Sequence, residues 1–149
     1  MRFLVAIDQS EFAELVVTMV QSLTHSGNDE VLLVHVAPRK PDLLGRQLTR
    51  QVIGSDVPED LVEQAAALER HLSTIRSAGI QCQTLLVRGQ PAPTIVQVAE
   101  EWSANMIVIG SHGRSMLYRS LLGSVSQEVL EARRLPVLVV PSPRPPSLG

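Results

Sequence analysis

Short apolar runs alternate with amphipathic helical segments along this chain of 149 residues. Residues 3–7 form a continuous apolar run and residues 31–36 a nearly continuous one, as expected of strands that are buried on both faces of a sheet. Between them, from Phe12 to Leu23, apolar residues recur at helical spacing and mark one face of a helix. Because strands that alternate with helices usually pair in parallel, the pattern predicts an α/β fold with a mainly parallel sheet.

The same alternation continues to the end of the chain. Further elements are predicted as a helix from Pro58 to Gly79, a strand at 80–87, a helix at 91–104, a strand at 106–109, a helix at 125–133 and a strand at Val137–Val140. Gln81 and Gln83 make the strand at 80–87 partly polar, which favours a position at the edge of the sheet.

Two segments lack this regular pattern. Residues 38–58 have no clear periodicity and are predicted to form a long loop, with a short helix at 43–51. The end of the chain is rich in proline, which cannot continue a regular element. We therefore expect one α/β domain over residues 1–141 and a proline-rich C-terminal tail over residues 142–149.

Composition narrows the range of functions. The net charge is −2, so no general basic surface for nucleic acid is expected. The single cysteine, Cys82, excludes an internal disulfide and a cysteine-rich metal site, and no side-chain metal site of another kind is predicted. The apolar run near the amino terminus is too short for a signal-peptide core or a membrane span. These features predict a cytoplasmic protein without a membrane or nucleic-acid partner.

A loop with glycine at both ends follows the strand predicted at residues 106–109. Its start and its end carry Gly110, Ser111, His112, Gly113, Gly123 and Ser124. Glycine lets the backbone approach an anion, and free N–H groups at a helix start point at the anion's oxygens. The arrangement therefore predicts phosphate binding, with the N–H groups of Ser124 and Val125 among the donors. Ser124 also fits a helix N-cap, with Gln127 completing a capping box, and the two roles are compatible.

The spacing of these residues resembles the nucleotide-binding signature G-x2-G-x9-G-(S/T) of the universal stress protein family, in its ATP-binding branch. Residues 5–10, 88–92 and 135–140 are also similar to segments of that family. The resemblance implies a single doubly wound α/β domain whose five-stranded, mainly parallel sheet has the order 3-2-1-4-5, with helices on both faces. It also implies ATP, with or without Mg²⁺, as the ligand and a homodimer that pairs through Val137–Val140.

Neighbouring first and fourth strands would bring Asp8 and the glycine loop to one crevice. The Asp8 carboxylate can accept hydrogen bonds from ribose or adenine, or it can cap the first helix together with Ser10. The resemblance supports Ala6 and Val36 as neighbours of the base. Arg114 would neutralise a terminal phosphate or remain a solvated loop residue. The predicted nucleotide-binding set is Ala6, Asp8, Val36, Ile109, Gly110, Ser111, His112, Gly113, Arg114, Ser115, Gly123, Ser124 and Val125.

The sequence shows no catalytic constellation. It lacks G-x4-G-K-(S/T), G-x-G-x-x-G after the first strand, H-E-x-x-H and C-x-x-C, and His112 lacks the partners that a catalytic base needs. We predict a stress-response protein that binds ATP or a related adenine nucleotide as a regulatory ligand. Two alternatives stay open: a nucleotide-free, dimeric interaction module that uses the glycine loop only as a turn, and a slow ATPase or phosphotransfer enzyme.

Overall fold

The described residues form one sheet of six strands with α-helices on both faces. The computed structural model describes residues 1–8, 10–39, 50–111 and 122–143. The strands are β1 (Arg2–Ala6), β2 (Glu30–Ala37), β3 (Arg50–Ile53), β4 (Gln81–Gly89), β5 (Met106–Gly110) and β6 (Val137–Val140). The helices are α1 (Ala13–Leu23), α2 (Val62–Ser77), α3 (Pro91–Glu101) and α4 (Ser124–Ala132), with a 3-10 turn at Glu59–Leu61 before α2. Among the described residues, no helix has both the length and the apolarity needed to cross a bilayer.

The sheet is mostly parallel and doubly wound, as predicted. Its strand order is β3-β4-β2-β1-β5-β6. All neighbouring strands are parallel except β3 and β4, which pair antiparallel. Because parallel strands need crossover connections, the helices lie on the two faces of the sheet.

The prediction of five strands in the order 3-2-1-4-5 is wrong in its strand count, because β3 adds a sixth strand at one edge and so changes the order of the sheet. The five predicted strands keep their predicted neighbours. This strand lies inside the segment predicted to be a loop and overlaps the short helix predicted at 43–51, of which residues 43–49 fall outside the described ranges. Four residues are too few to show a period. The strand pairs with residues 86–89, where the edge of β4 offers unpaired backbone groups.

The edge position predicted for β4 is also wrong, since the strand lies between β3 and β2. Its pairing with β2 runs along most of its length, whereas its pairing with β3 covers only residues 86–89. Gln81 and Gln83 are exposed on one face of the sheet, whereas Cys82 between them is buried on the other, and all three lie in the half of β4 that β3 does not reach. Their polarity therefore reflects the end of β4 that pairs with β2 alone, and not a position of the whole strand at the edge of the sheet.

Apolar side chains pack on both faces of the sheet, because successive residues of a strand point to opposite faces. In β1, Phe3 and Val5 pack with residues of α1 and α2, and Leu4 packs with residues of α3 and α4. Each fully buried Leu or Val side chain contributes about 1.5–3 kcal/mol. Cys82 is a buried core residue, and this burial raises the pKa of its thiol to about 12.

The strand order reverses between β1 and β5. These two strands are adjacent and in register from Phe3 opposite Met106 to Ala6 opposite Ile109. The chain continues from β1 to β2 on one side, whereas β5 is followed by β6 on the other. A crevice opens at such a point beyond the carboxyl ends of the strands, because the connections leave in opposite directions.

Candidate functional site

A cavity of about 510 Å³ opens at the carboxyl ends of β1, β2 and β5. Its volume is within the range of about 300–1,000 Å³ that is usual for small-molecule sites. All the predicted nucleotide-binding residues that the structure describes line this cavity: Ala6, Asp8, Val36, Ile109, Gly110, Ser111, Gly123, Ser124 and Val125. The remaining members of the predicted set, His112, Gly113, Arg114 and Ser115, lie outside the described residues.

Asp8 presents a carboxylate to the cavity from the loop after β1. Its Oδ1 accepts hydrogen bonds from the N–H and the hydroxyl of Ser10, at 2.9 and 2.6 Å. These bonds close a tight turn and hold the carboxylate in place. The alternative role as a cap of α1 is wrong, because α1 follows Phe12 and has no side-chain cap. Both bonds that Asp8 makes within the described ranges fall on Oδ1, which leaves Oδ2 as an acceptor.

The start of α4 forms the opposite wall of the cavity. Gly123 is the N-cap, and its carbonyl accepts the Gln127 N–H at 3.0 Å. The predicted capping box at Ser124 is therefore wrong. The side-chain Nε2 of Gln127 instead donates to Glu131 Oε1 at 3.0 Å. The first N–H groups of a helix have no intrahelical acceptor, and those of Ser124 and Val125 have no backbone acceptor elsewhere among the described residues. This end of the helix also carries partial positive charge, which favours an anion.

Ser111 connects the cavity to the rest of the sheet. Its N–H donates to Val140 O at 2.8 Å, and its carbonyl accepts the Gly123 N–H. Its Oγ accepts the N–H of Ser142 at 3.0 Å. Ser111 is thus a buried junction where β5, the end of β6 and the start of α4 meet.

The predicted set misses about half of the cavity lining. The additional residues are Ile7, Ser10, Phe12, Ala13, Val16, Val34, His35, Pro91, Ile95 and Ser126. Several of them belong to the first turns of α1 and α3, which follow parallel strands and so begin at the same edge of the sheet. The predicted starts of these helices could therefore have identified these residues as part of the cavity lining. The neighbour of Val36, His35, donates its Nδ1–H to the carbonyl of Ile7 at 2.8 Å, since a carbonyl only accepts.

The carboxyl end of β4 is closed by contacts within the protein. Arg88 is buried, and its Nη2 donates to both carboxylate oxygens of Asp60, at 2.9 and 2.8 Å. Its Nη1 also donates to Pro38 O at 3.4 Å. At Gly89, a Cβ atom would lie only 2.5 Å from Thr94 Oγ1, so the turn into α3 has no room for a side chain.

Comparison with known proteins gives consistent results. Residues 1–141 match the model of the Universal stress protein family. Universal stress protein MJ0577 of Methanocaldococcus jannaschii is 30% identical over 93% of both chains. Universal stress protein YxiE of Bacillus subtilis is 30% identical over 93% of this chain and 97% of its own. The universal stress protein of Archaeoglobus fulgidus, solved in complex with dAMP, is 25% identical, with a TM-score of 0.67 over 93% of this chain and 96% of that one.

Proposed function

The chain belongs to the universal stress protein family, and we propose that it binds ATP or a related adenine nucleotide in the cavity at the carboxyl ends of β1, β2 and β5. The observation that carries the proposal is the pairing of an acceptor and donors across one cavity. Asp8 offers a carboxylate oxygen on one side, and Ser124 and Val125, whose N–H groups begin α4, line the other. A nucleotide matches both, because its ribose and base carry donors and its phosphates accept.

The rest of the lining suits a nucleoside. Ala6 and Val36 are small enough to border a flat base, and Val36 has a backbone N–H and C=O that can bind its edge. Gly110 and Gly123 let the backbone approach the phosphates closely. The relative from Archaeoglobus fulgidus that is solved with dAMP supports an adenine nucleotide as the class of ligand.

We assign the nucleotide a regulatory role in a cytoplasmic stress response. Among the described residues that line the cavity, the ionisable side chains are Asp8 and His35. One oxygen of Asp8 and one nitrogen of His35 are held by hydrogen bonds within the protein. These groups suit binding and orientation better than activation of water. Mg²⁺ would enter with the phosphates of ATP, so we expect its contribution to follow the nucleotide.

Retention of ligand through native purification tests this function. We expect native mass spectrometry to show an adenine nucleotide on the purified protein, and chromatography after denaturation to identify it. Calorimetry on the emptied protein should then show binding of ATP, with and without Mg²⁺, and weaker binding of GTP. A protein that retains no nucleotide and gives no heat with ATP at millimolar concentration contradicts the proposal. Rapid release of ADP from bound ATP would replace the regulatory role with an enzymatic one.

We also propose that the protein forms a homodimer through β6. This strand is at the edge of the sheet, and Val137, Leu138 and Val139 are only partly buried. An apolar edge strand with unpaired backbone groups tends to pair with another strand. Antiparallel pairing of β6 with its copy in a second chain would satisfy those groups and cover the apolar side chains.

Light scattering at micromolar concentration tests the dimer. We expect a dimer for the unmodified protein and a shift toward monomer for Val139→Lys. Val52→Lys is the matched control, because Val52 is 54% exposed on β3 at the opposite edge of the sheet. A monomeric unmodified protein, or equal dissociation of both variants, contradicts pairing through β6.

A further inference from the structure

One buried hydroxyl links the two ends of the segment that separates β5 from α4. Ser126 is 2% exposed, and its Oγ lies 2.9 Å from Ser111 O and 3.0 Å from Gly123 O. Both neighbours are carbonyl oxygens, which only accept, so the hydroxyl donates and shares its single proton between them. The hydroxyl therefore connects the residue after β5 to the N-cap of α4.

This contact belongs to a larger junction. The Gly123 N–H donates to the same carbonyl of Ser111, and the Ser111 N–H donates to Val140 O at 2.8 Å. Ser126 is thus connected through Ser111 to the ends of β5 and β6. Through Gly123 it is connected to the first residues of α4, Ser124 and Val125, which line the cavity.

We propose that Ser126 is a positioning residue for phosphate recognition, an inference that rests on the proposed nucleotide-binding function. Its hydroxyl fixes the direction in which the N–H groups of Ser124 and Val125 point. Donors of this kind bind an anion well only when they are held in place before the ligand arrives. Asp8 and Val36 lie on other elements, so a shift of the first turn of α4 would leave the nucleoside contacts intact. Loss of the hydroxyl should therefore affect the phosphates selectively.

When this hydroxyl is removed, each of the two carbonyls still has a hydrogen-bond donor. The Ser111 carbonyl keeps the Gly123 N–H, and the Gly123 carbonyl keeps the Gln127 N–H at 3.0 Å. Ser126→Ala should therefore fold, with a melting temperature lower by about 2–4 °C. Its effect on binding can then be measured apart from its effect on folding.

Calorimetry with ATP and with adenosine separates the phosphate contacts from the nucleoside contacts. We expect Ser126→Ala to weaken ATP binding about tenfold and to change adenosine binding by less than about twofold. Ser126→Thr keeps a hydroxyl and should recover most of the ATP affinity. Thr24→Val is the matched control, because Thr24 Oγ1 is also buried and donates to Val20 O at 2.7 Å, a carbonyl that keeps the Thr24 N–H. Thr24 lies at the far end of α1, so both affinities should stay unchanged.

Amide hydrogen exchange provides a readout that needs no ligand. The Gly123 N–H, followed by NMR, should exchange at least about fivefold faster in Ser126→Ala and at the wild-type rate in Thr24→Val. Unchanged exchange at Gly123, unchanged ATP affinity, or equal loss of ATP and adenosine affinity would each overturn the role of Ser126. An unmodified protein that binds neither ligand would instead overturn the nucleotide function, and this inference with it.

Discussion

Two regions at the carboxyl ends of the parallel strands, which we call corners, differ in how the hydrogen-bonding capacity of their polar groups is satisfied. In the β4 corner, formed by Arg88, Gly89 and the residues that contact them, the guanidinium of Arg88 is paired with Asp60 inside the protein. In the cavity corner, at the ends of β1 and β5, Asp8 and the start of α4 present polar groups to an open cavity. The first corner is complete without a ligand, whereas the second has hydrogen-bonding capacity left for one.

This difference separates stability from binding within one small domain. Both corners combine a charged residue and a glycine at or just beyond the carboxyl end of a parallel strand, so residue types alone do not distinguish them. The hydrogen-bond partners of those residues distinguish the two corners. We therefore expect substitutions in the β4 corner to lower the free energy of unfolding without changing ligand affinity. Substitutions of polar groups in the cavity corner should lower ligand affinity with a smaller effect on the free energy of unfolding.

The largest effect is expected from Asp60→Ala. The change leaves the Arg88 charge buried without its carboxylate, and breaking a fully buried pair costs about 3–5 kcal/mol. Because the Asp60 side chain is 40% exposed, we expect a smaller loss, about 2–3 kcal/mol, in urea-induced unfolding. Glu59→Ala, on the exposed surface of the same turn, is the control and should change little. A loss of ATP affinity in Asp60→Ala as large as its loss of stability would remove the distinction between the two corners.

Gly89→Ala tests the tight packing of the same corner. The added Cβ would lie 2.5 Å from Thr94 Oγ1, so the buried Thr94 must shift. We expect a loss of about 1–3 kcal/mol in the free energy of unfolding. Thr94→Ala should make room, so the double variant should lose less than the sum of the two single losses. Additive losses would show that the contact with Thr94 is not the cause.

Asp8→Asn tests the cavity corner. The asparagine Oδ1 can still accept both hydrogen bonds from Ser10, so the unfolding free energy without ligand should stay near that of the unmodified protein. The charged acceptor is lost, and we expect ATP affinity to fall about fivefold to tenfold, roughly 1–1.4 kcal/mol. ATP should then raise the melting temperature less than in the unmodified protein. Asp56→Asn makes the same charge change on an exposed residue outside the cavity and should have no effect on binding.

The smallest effects are expected at the Cys82 thiol, which reports the opening of β4. Cys82 is buried, and burial raises the pKa of its thiol to about 12, so at pH 8 we expect labelling by a thiol reagent to depend on opening of the strand. Labelling should be faster in Asp60→Ala, because the strand that carries Arg88 also carries Cys82. In Asp8→Asn the rate should stay within about twofold of the unmodified protein. Equal acceleration in both variants would show that the corners do not unfold independently.

The sequence predicts the parallel strands well because burial on both faces leaves continuous apolar runs, as in residues 3–7. It does not predict β3, since Arg50–Ile53 becomes a strand only where β4 offers it an edge. The polarity of Gln81 led to the wrong expectation that β4 lies at the edge of the sheet, because β3 pairs only with the other end of β4.

In the cavity corner, too, the sequence predicts some features of the structure and not others. The glycine spacing locates Gly110 and Gly123, and these residues line the cavity as a strand-loop-helix arrangement requires. The contact of Ser126 with Ser111 could not be predicted, because it depends on how α4 docks against the end of β5. The Ser124 capping box failed for a local reason: the helix begins at Ser124 itself, and Gly123 takes the cap position.

Calorimetric titration of the nucleotide-free protein with ATP and with adenosine tests the central claim most directly, namely that the cavity corner is open for phosphates. Charge-assisted hydrogen bonds to the start of α4 should make ATP bind at least about tenfold more tightly than adenosine, a difference of about 1.4 kcal/mol. Equal affinities for the two ligands would contradict the phosphate assignment and reduce the cavity to a site for the base and the ribose.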